Sequence, residues 1–195
     1  MRPVLSNTLS LALAGILLLA AASRAAEEAD RAELRKLRAL YEEVVKSDDL
    51  TKLMPYLPPS FTAVTPTGEQ VKGPNELQEY FKKIWGMIGQ GGTYEVKVNL
   101  GSTDLYNDIA VSYGTTDEFI KTAEGRQYQF PMLWTAVSRK ENGAWKVLRM
   151  HGSIDPLTNV FVTTQLNTLK WIYGVGGLIV GLILGILSRF IHFRG

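Results

Sequence analysis

The run from Trp171 to Ser188 carries no charged residue and reads Trp-Ile-Tyr-Gly-Val-Gly-Gly-Leu-Ile-Val-Gly-Leu-Ile-Leu-Gly-Ile-Leu-Ser. Wound as a helix it is about 27 Å long, close to the roughly 30 Å of a bilayer's hydrocarbon core. Trp171 and Tyr173 lie where an aromatic belt would sit, and Arg189, His192 and Arg194 follow directly. Basic residues just past a span favour the cytoplasmic side. The pattern predicts a transmembrane helix over 170–190, a juxtamembrane tether over 158–169 and a short basic cytoplasmic tail over 191–195. Any water-soluble core must be built upstream of it.

The other end is also apolar. Met1-Arg2-Pro3 precedes a hydrophobic stretch from Leu9 to Leu19 and a small-residue run to Ala26. A basic start, an apolar centre and a small-residue exit predict a secretory signal peptide over 1–25, cleaved after Ala25. An uncleaved anchor would leave the domain on the same side of the membrane. The intervening domain, 26–157, is therefore expected to be extracytoplasmic, which means periplasmic in a Gram-negative cell. The chain has no Cys, so lipoprotein processing is excluded and no disulfide can staple the domain in an oxidising compartment. About 130 residues are enough to bury one core without such staples.

Charge excludes another class. The chain carries 21 Lys+Arg against 19 Asp+Glu. Residues 30–157 nearly balance, and the basic excess sits at Arg2, Arg24, Lys170, Arg189 and Arg194, beside the apolar ends. A nucleic-acid binder would show a basic stripe on its folded part, and none is present.

Within the domain, Asp30-Arg31-Ala32-Glu33 reads as a capping-box start. Leu34, Leu37, Tyr41 and Val44 follow at helical spacing, which predicts an amphipathic helix over 31–47. Ser47-Asp48-Asp49 can cap a short helix from Leu50 to Met54, ended by Pro55, Pro58 and Pro59. Ser60 to Thr65 reads as a strand and Thr67-Gly68 as a turn. Pro74 opens a third helix whose stripe is Leu77, Tyr80, Phe81, Ile84, Trp85 and Ile88, stopped by Gly89, Gly91 and Gly92. From Thr93 the period becomes two. Strands are expected at Tyr94–Val98, reaching as far as Gly101, at Ile109–Lys121 and at Gln127–Arg139. The pair Asn142-Gly143 marks a hairpin into a last strand that starts at Trp145.

This order, closed by Asn142, Gly143, Trp145, His151, Ser153 and Pro156, resembles the SnoaL-like branch of the nuclear transport factor 2-like superfamily. The closing residues are especially similar to the end of the calcium/calmodulin-dependent kinase association domain. The resemblance implies an α+β fold, a cone-shaped bent antiparallel sheet wrapped on three N-terminal helices. The transmembrane helix would be an addition to it. It also implies a central pocket and frequent homo-oligomers. Its members include isomerases, dehydratases and cyclases, and many proteins that only bind or assemble, so the fold alone does not choose.

Alternation assigns candidate pocket residues. Val111, Tyr113, Thr115, Asp117 and Phe119 share one face of their strand; Phe130, Met132 and Trp134 share one face of the next. With Tyr41 and Trp85 they form the candidate ligand site: Tyr41, Trp85, Tyr113, Phe130, Met132 and Trp134 around a small apolar ligand. The same aromatics would serve as ordinary core. In the last strand Trp145, Val147, Arg149, His151 and Ser153 fall on one parity, so Arg149 and His151 are expected to share the face of Trp145.

His151 is the domain's single histidine. An enzyme reading makes it a general acid/base oriented by Asp117 or Asp155, with Arg149 holding a carboxylate or enolate. The plainer reading is a local hydrogen bond. Asp117-Glu118 offers an acidic base in an apolar setting, or merely a solvated strand end. One histidine and no cysteine leave no zinc-ligand set, and no phosphate loop or nucleophile elbow is present, so neither metal nor cofactor is expected. In the transmembrane segment Gly177, Gly181 and Gly185 recur every four residues, a ridge along which helices approach closely. The favoured expectation is a membrane-anchored module that binds a small apolar ligand or assembles, with a membrane-protein partner open. The alternative is a cofactor-free isomerase or dehydratase.

Overall fold

The structure, a computed structural model, describes the backbone of residues 5–157 and 159–192, and side chains over 21–157 and 159–188. Residues 1–4 of the expected signal peptide and 193–195 of the basic tail lie outside the described residues, as do the side chains of Arg189 and His192. The chain divides after Ser153 into two compact units.

In the first unit, helix α1 (Leu5–Ser47) is longer than the periodicity predicts. The stretch from Ala20 to Ala29 holds only Ala, Ser, Arg and Glu, with no Gly or Pro, so nothing stops a helix there. Asp30 accordingly lies inside the helix instead of capping it. The expected cleavage point after Ala25 lies in the same continuous helix. Leu34, Leu37, Val44 and Val45 are buried, and Arg35, Lys36 and Glu43 are exposed. Asp48 ends the helix at φ 54°, and Asp49 accepts from the backbone N–H of Thr51 at 3.0 Å. The expected short helix is two 3-10 turns, Leu50–Lys52 and Met54–Tyr56. Pro55 in the second turn removes a donor that an α-helix would need.

Strand β1 (Thr62–Val64) pairs antiparallel with β2 (Gln70–Lys72), which is too short to show any alternation. Helix α2 (Gly73–Ile88) follows at once, with Glu76 accepting the Lys72 backbone N–H at 2.7 Å. Four long strands complete the unit: β3 (Thr93–Tyr106), β4 (Ile109–Lys121), β5 (Gln127–Glu141) and β6 (Ala144–Ser153). Asn142 and Gly143 both take positive φ, 51° and 81°, as a two-residue hairpin loop matched to strand twist requires.

The six strands run in the order β2-β1-β6-β5-β4-β3. The sheet is not wholly antiparallel, because β1 lies parallel to β6. The chain reaches that edge early, through the proline-rich turns after α1, and the last strand joins it from the other side. Two register shifts bend the sheet. Gly101 is the extra residue between Leu100 and Ser102 of β3. A Cβ at Gly114 opposite would lie 2.0 Å from the Asn99 carbonyl oxygen, so only glycine lets the strands approach there. The second shift leaves Leu148 as an extra residue against Val137 and Ser138.

The core lies between α1, α2 and one face of this sheet. Val44, Val45, Leu50, Phe61, Leu77 and Phe81 form its larger part, and Leu34, Leu37, Ala110 and Trp145 a second cluster. In the second unit, helix α3 (Val160–His192) is capped by Asn159, whose Oδ1 accepts from the N–H groups of Phe161 and Val162. From Val160 on, the expected tether and the expected span thus form one helix. Val160–Ser188 is long and apolar enough to cross a membrane.

Candidate functional site

The bulge at Leu148 decides where the last strand's chemistry goes. Trp145, 1% exposed, and Val147 point into the core. An extra residue shifts the alternation by one, so Met150 packs inward and Arg149 and His151 are exposed on the outer face. Arg149 and His151 share a face as expected, but the bulge places it opposite the face of Trp145, and that part of the expectation is corrected.

Strand β4 has the opposite phase from the expected one. Ala110, Ser112, Thr116 and Glu118 are buried, whereas Val111, Tyr113, Thr115 and Asp117 are exposed, Tyr113 to 55%. Leu34 and Leu37 of α1 pack against Ala110, leaving room for small side chains on that side. Tyr113 and Asp117 thus lie outside. Asn99 donates to Asp117 Oδ2 at 2.8 Å. Asp117 pairs with Pro131 and His151 with Thr135, so the two are four residues and two strands apart. That separation, roughly 15 Å, precludes a direct dyad.

Other expected ligand residues lie on the inner side, with Tyr41 and Trp85 packed on the larger core cluster. Phe130 and Met132 are buried, and Tyr41, Trp85 and Trp134 are half-buried. The Trp134 indole donates to the Thr115 carbonyl at 3.1 Å. Tyr41, Tyr80, Trp85 and Tyr94 pack on the larger core cluster, with the Trp85 and Tyr94 ring centroids 6.4 Å apart.

Among them lies Glu118, which the sequence offers only as half of the Asp117-Glu118 pair, outside the candidate site residues. It is 0% exposed, and neither carboxyl oxygen has a hydrogen-bond partner. The Tyr94 and Thr116 hydroxyls lie beside it without reaching hydrogen-bond geometry. Trp85 Nε1 and Thr116 Oγ1 are also buried and unpartnered. Burial pushes the Glu118 carboxyl above its ordinary value; Asp117 adds to the shift, and the two hydroxyls offset part of it. Burial and the nearby Glu118 charge likewise raise the Tyr41 phenol. Burial of this kind favours the protonated form over the charged one, and a protonated carboxyl donates to a hydrogen bond. The signal in the sequence was its parity with Ala110 and Ser112. Among the described residues no group of three or more potential metal ligands is present.

A concavity lies on the outer side of the sheet. It has a volume of about 360 Å³ and is lined by β1, β2, β5 and β6, including Thr62, Val64, Lys72, Thr135, Arg149 and His151. Arg149 Nη1 donates to the carbonyls of Ser60 and Leu148, both at 2.7 Å.

Bent sheet, covering helices and a polar group enclosed among aromatics define an α+β cone of the nuclear transport factor 2-like class. The SnoaL-like domain profile matches residues 19–156, and the chain belongs to the SnoaL-like family. Among curated proteins none matches it significantly. A nuclear transport factor 2-like protein with a cystatin-like fold from Novosphingobium aromaticivorans superposes with a TM-score of 0.60 at 16% identity, over 70% of this chain and 89% of that one. A type 2 hexachlorocyclohexane dehydrochlorinase gives 0.59 at 15% identity, over 69% and 90%. A putative calcium/calmodulin-dependent kinase II association domain from Xanthomonas campestris gives 0.52 at 17%, over 65% and 88%. At such identities the likeness is one of fold.

Proposed function

We propose that this protein is a membrane-tethered SnoaL-like domain that binds a small, mostly apolar molecule inside the cone, against Glu118. The observation that carries the reading is the buried, unpartnered carboxyl together with the unpartnered Trp85 Nε1. Leaving such groups unpaired costs about 1–3 kcal/mol each, so they mark a place where a partner is expected. In the protonated form that burial favours, Glu118 is a donor, as is the Trp85 indole. Their complement is an acceptor, such as a carbonyl oxygen on an apolar body. Tyr41, Phe130 and Met132 supply apolar surface around it.

Helix α3 would hold the domain at the membrane, with the folded part extracytoplasmic and a short cytoplasmic end. Gly177, Gly181 and Gly185 would let two copies, or a membrane-protein partner, associate along it. At their separation across two strands Asp117 does not orient His151, which leaves Asp155 as the carboxylate of the acid/base alternative.

The test is thermal unfolding of the full chain in detergent with a series of apolar ketones and their parent hydrocarbons. Ketones should raise the melting temperature in a saturable way, and a Glu118→Leu variant should lose that response. Equal responses to ketone and hydrocarbon, or an unchanged response in the variant, would reject the site.

A further inference from the structure

The outer groove is separate from the cone interior, and its chemistry is of the opposite kind. Thr62 pairs with Lys72 on one side and with Arg149 on the other. Two cations therefore flank one hydroxyl on a single face, their Cα atoms two strand spacings, or about 10 Å, apart. Among the described residues no carboxylate lines the groove. Glu76 accepts the backbone N–H of Lys72 but is not among the lining residues. Neighbouring like charges on a sheet face repel, and an anion between them removes the repulsion.

The arginine is already fixed. Its Nη1 is spent on the Ser60 and Leu148 carbonyls, which leaves the Nε and Nη2 donors uncommitted among the described residues. Held guanidinium groups take a carboxylate side-on through two parallel bonds. The next row of the same face, Gln70, Val64, His151 and Thr135, follows from the strand register and holds no Lys, Arg, Asp or Glu. One end of the groove is thus cationic and the rest suits a short, partly apolar body. The volume lies at the small end of ordinary ligand sites.

We propose that the groove between β2 and β5 is a binding site for a small monocarboxylate, its carboxylate held by Lys72, Thr62 and Arg149. The site lies on the opposite face of the sheet from Glu118 and shares no residue with the proposed interior site.

The test follows backbone amide shifts of Thr62, Val64, Lys72, Arg149 and His151 in the labelled full chain in detergent micelles. Sodium butyrate is titrated first, then butyramide, its neutral counterpart, then inorganic phosphate. Butyrate should shift these amides saturably and butyramide should not. Lys72→Gln should weaken butyrate binding about tenfold. Arg149→Gln should weaken it further, but Arg149 also ties β6 to Ser60, so the exposed Lys72 gives the cleaner variant. Shifts that stay linear, that are the same for butyramide, or that are unchanged in Lys72→Gln would overturn the site. Saturation by phosphate without saturation by butyrate would overturn the carboxylate assignment.

Discussion

The indole Nε1 of Trp145, at the start of the last strand, donates to Asp30 Oδ1 on α1 at 3.0 Å, across 115 residues of sequence. Lys140 binds the same oxygen. Burial pushes the Asp30 carboxyl up, but the hydrogen bonds from Lys140 and Trp145 and the lysine's charge outweigh it and hold the group below its ordinary value. The contact fastens the long helix to the β5–β6 hairpin.

A carboxyl lowered in the folded state contributes stability that is full above its unfolded value of 3.8 and is lost as pH falls through the folded value. Asp30→Ala should therefore cost about 1–3 kcal/mol at neutral pH, in the range for bonds to a charged group. The cost should shrink in acid. Urea unfolding of both chains between neutral and acid pH measures this. A constant difference across that range would contradict it.

Glu118 has the reverse sign. Its folded value lies above the unfolded 4.5, so the folded state keeps a proton that the unfolded chain has released. Stability is then lost as pH rises from the unfolded toward the folded value. Glu118→Gln keeps the shape without the ionisation. It should melt higher than the parent above pH 4.5, by a margin that grows with pH toward the folded value. Melting curves of both chains in mildly acidic and mildly alkaline buffer decide it. A parent whose advantage grows with pH would refute the burial argument.

Two glycines should respond oppositely to alanine. At Gly114 the added Cβ meets a backbone oxygen that cannot rotate away, which should cost about 1–3 kcal/mol. At Gly86, inside α2, nothing lies within 4 Å, and alanine should stabilise by about 0.5–1 kcal/mol. Denaturant midpoints measure both. Similar effects at the two positions would mean that the strands do not approach closely at the β3 bulge.

A Cβ at Gly177, Gly181 or Gly185 meets nothing within 4 Å, so the ridge on α3 is open. If it carries association, Gly181→Leu should abolish dimerisation of the helix in a membrane reporter assay, while Leu182→Ile should not. Equal dimerisation in both would remove the ridge from the account.

Elements whose signal is local were legible in the sequence. Asn142-Gly143 fixed its hairpin, and Pro74 with the stripe from Leu77 to Ile88 fixed α2. The apolar run fixed α3. What failed was parity. Leu148 is an ordinary residue in an alternating strand, and nothing in it announces the bulge that sends Arg149 and His151 outward. In β4 the larger residues Val111, Tyr113 and Phe119 made the wrong face look like the core. The inner face takes small residues only because α1 occupies the space, and that is a tertiary fact. Lys72 and Thr62 went unnoticed because β2 is three residues long and β1 joins β6 in parallel, a pairing no local pattern encodes.

The most direct measurement is native mass spectrometry of the full chain released from mild detergent, beside its Glu118→Leu variant. The parent should carry one small extra mass per chain, and the compound freed from it should be apolar with a carbonyl or similar acceptor. The variant should fly bare. A parent without added mass, or a variant that keeps the same mass, would contradict the claim that Glu118 marks a ligand site inside the cone.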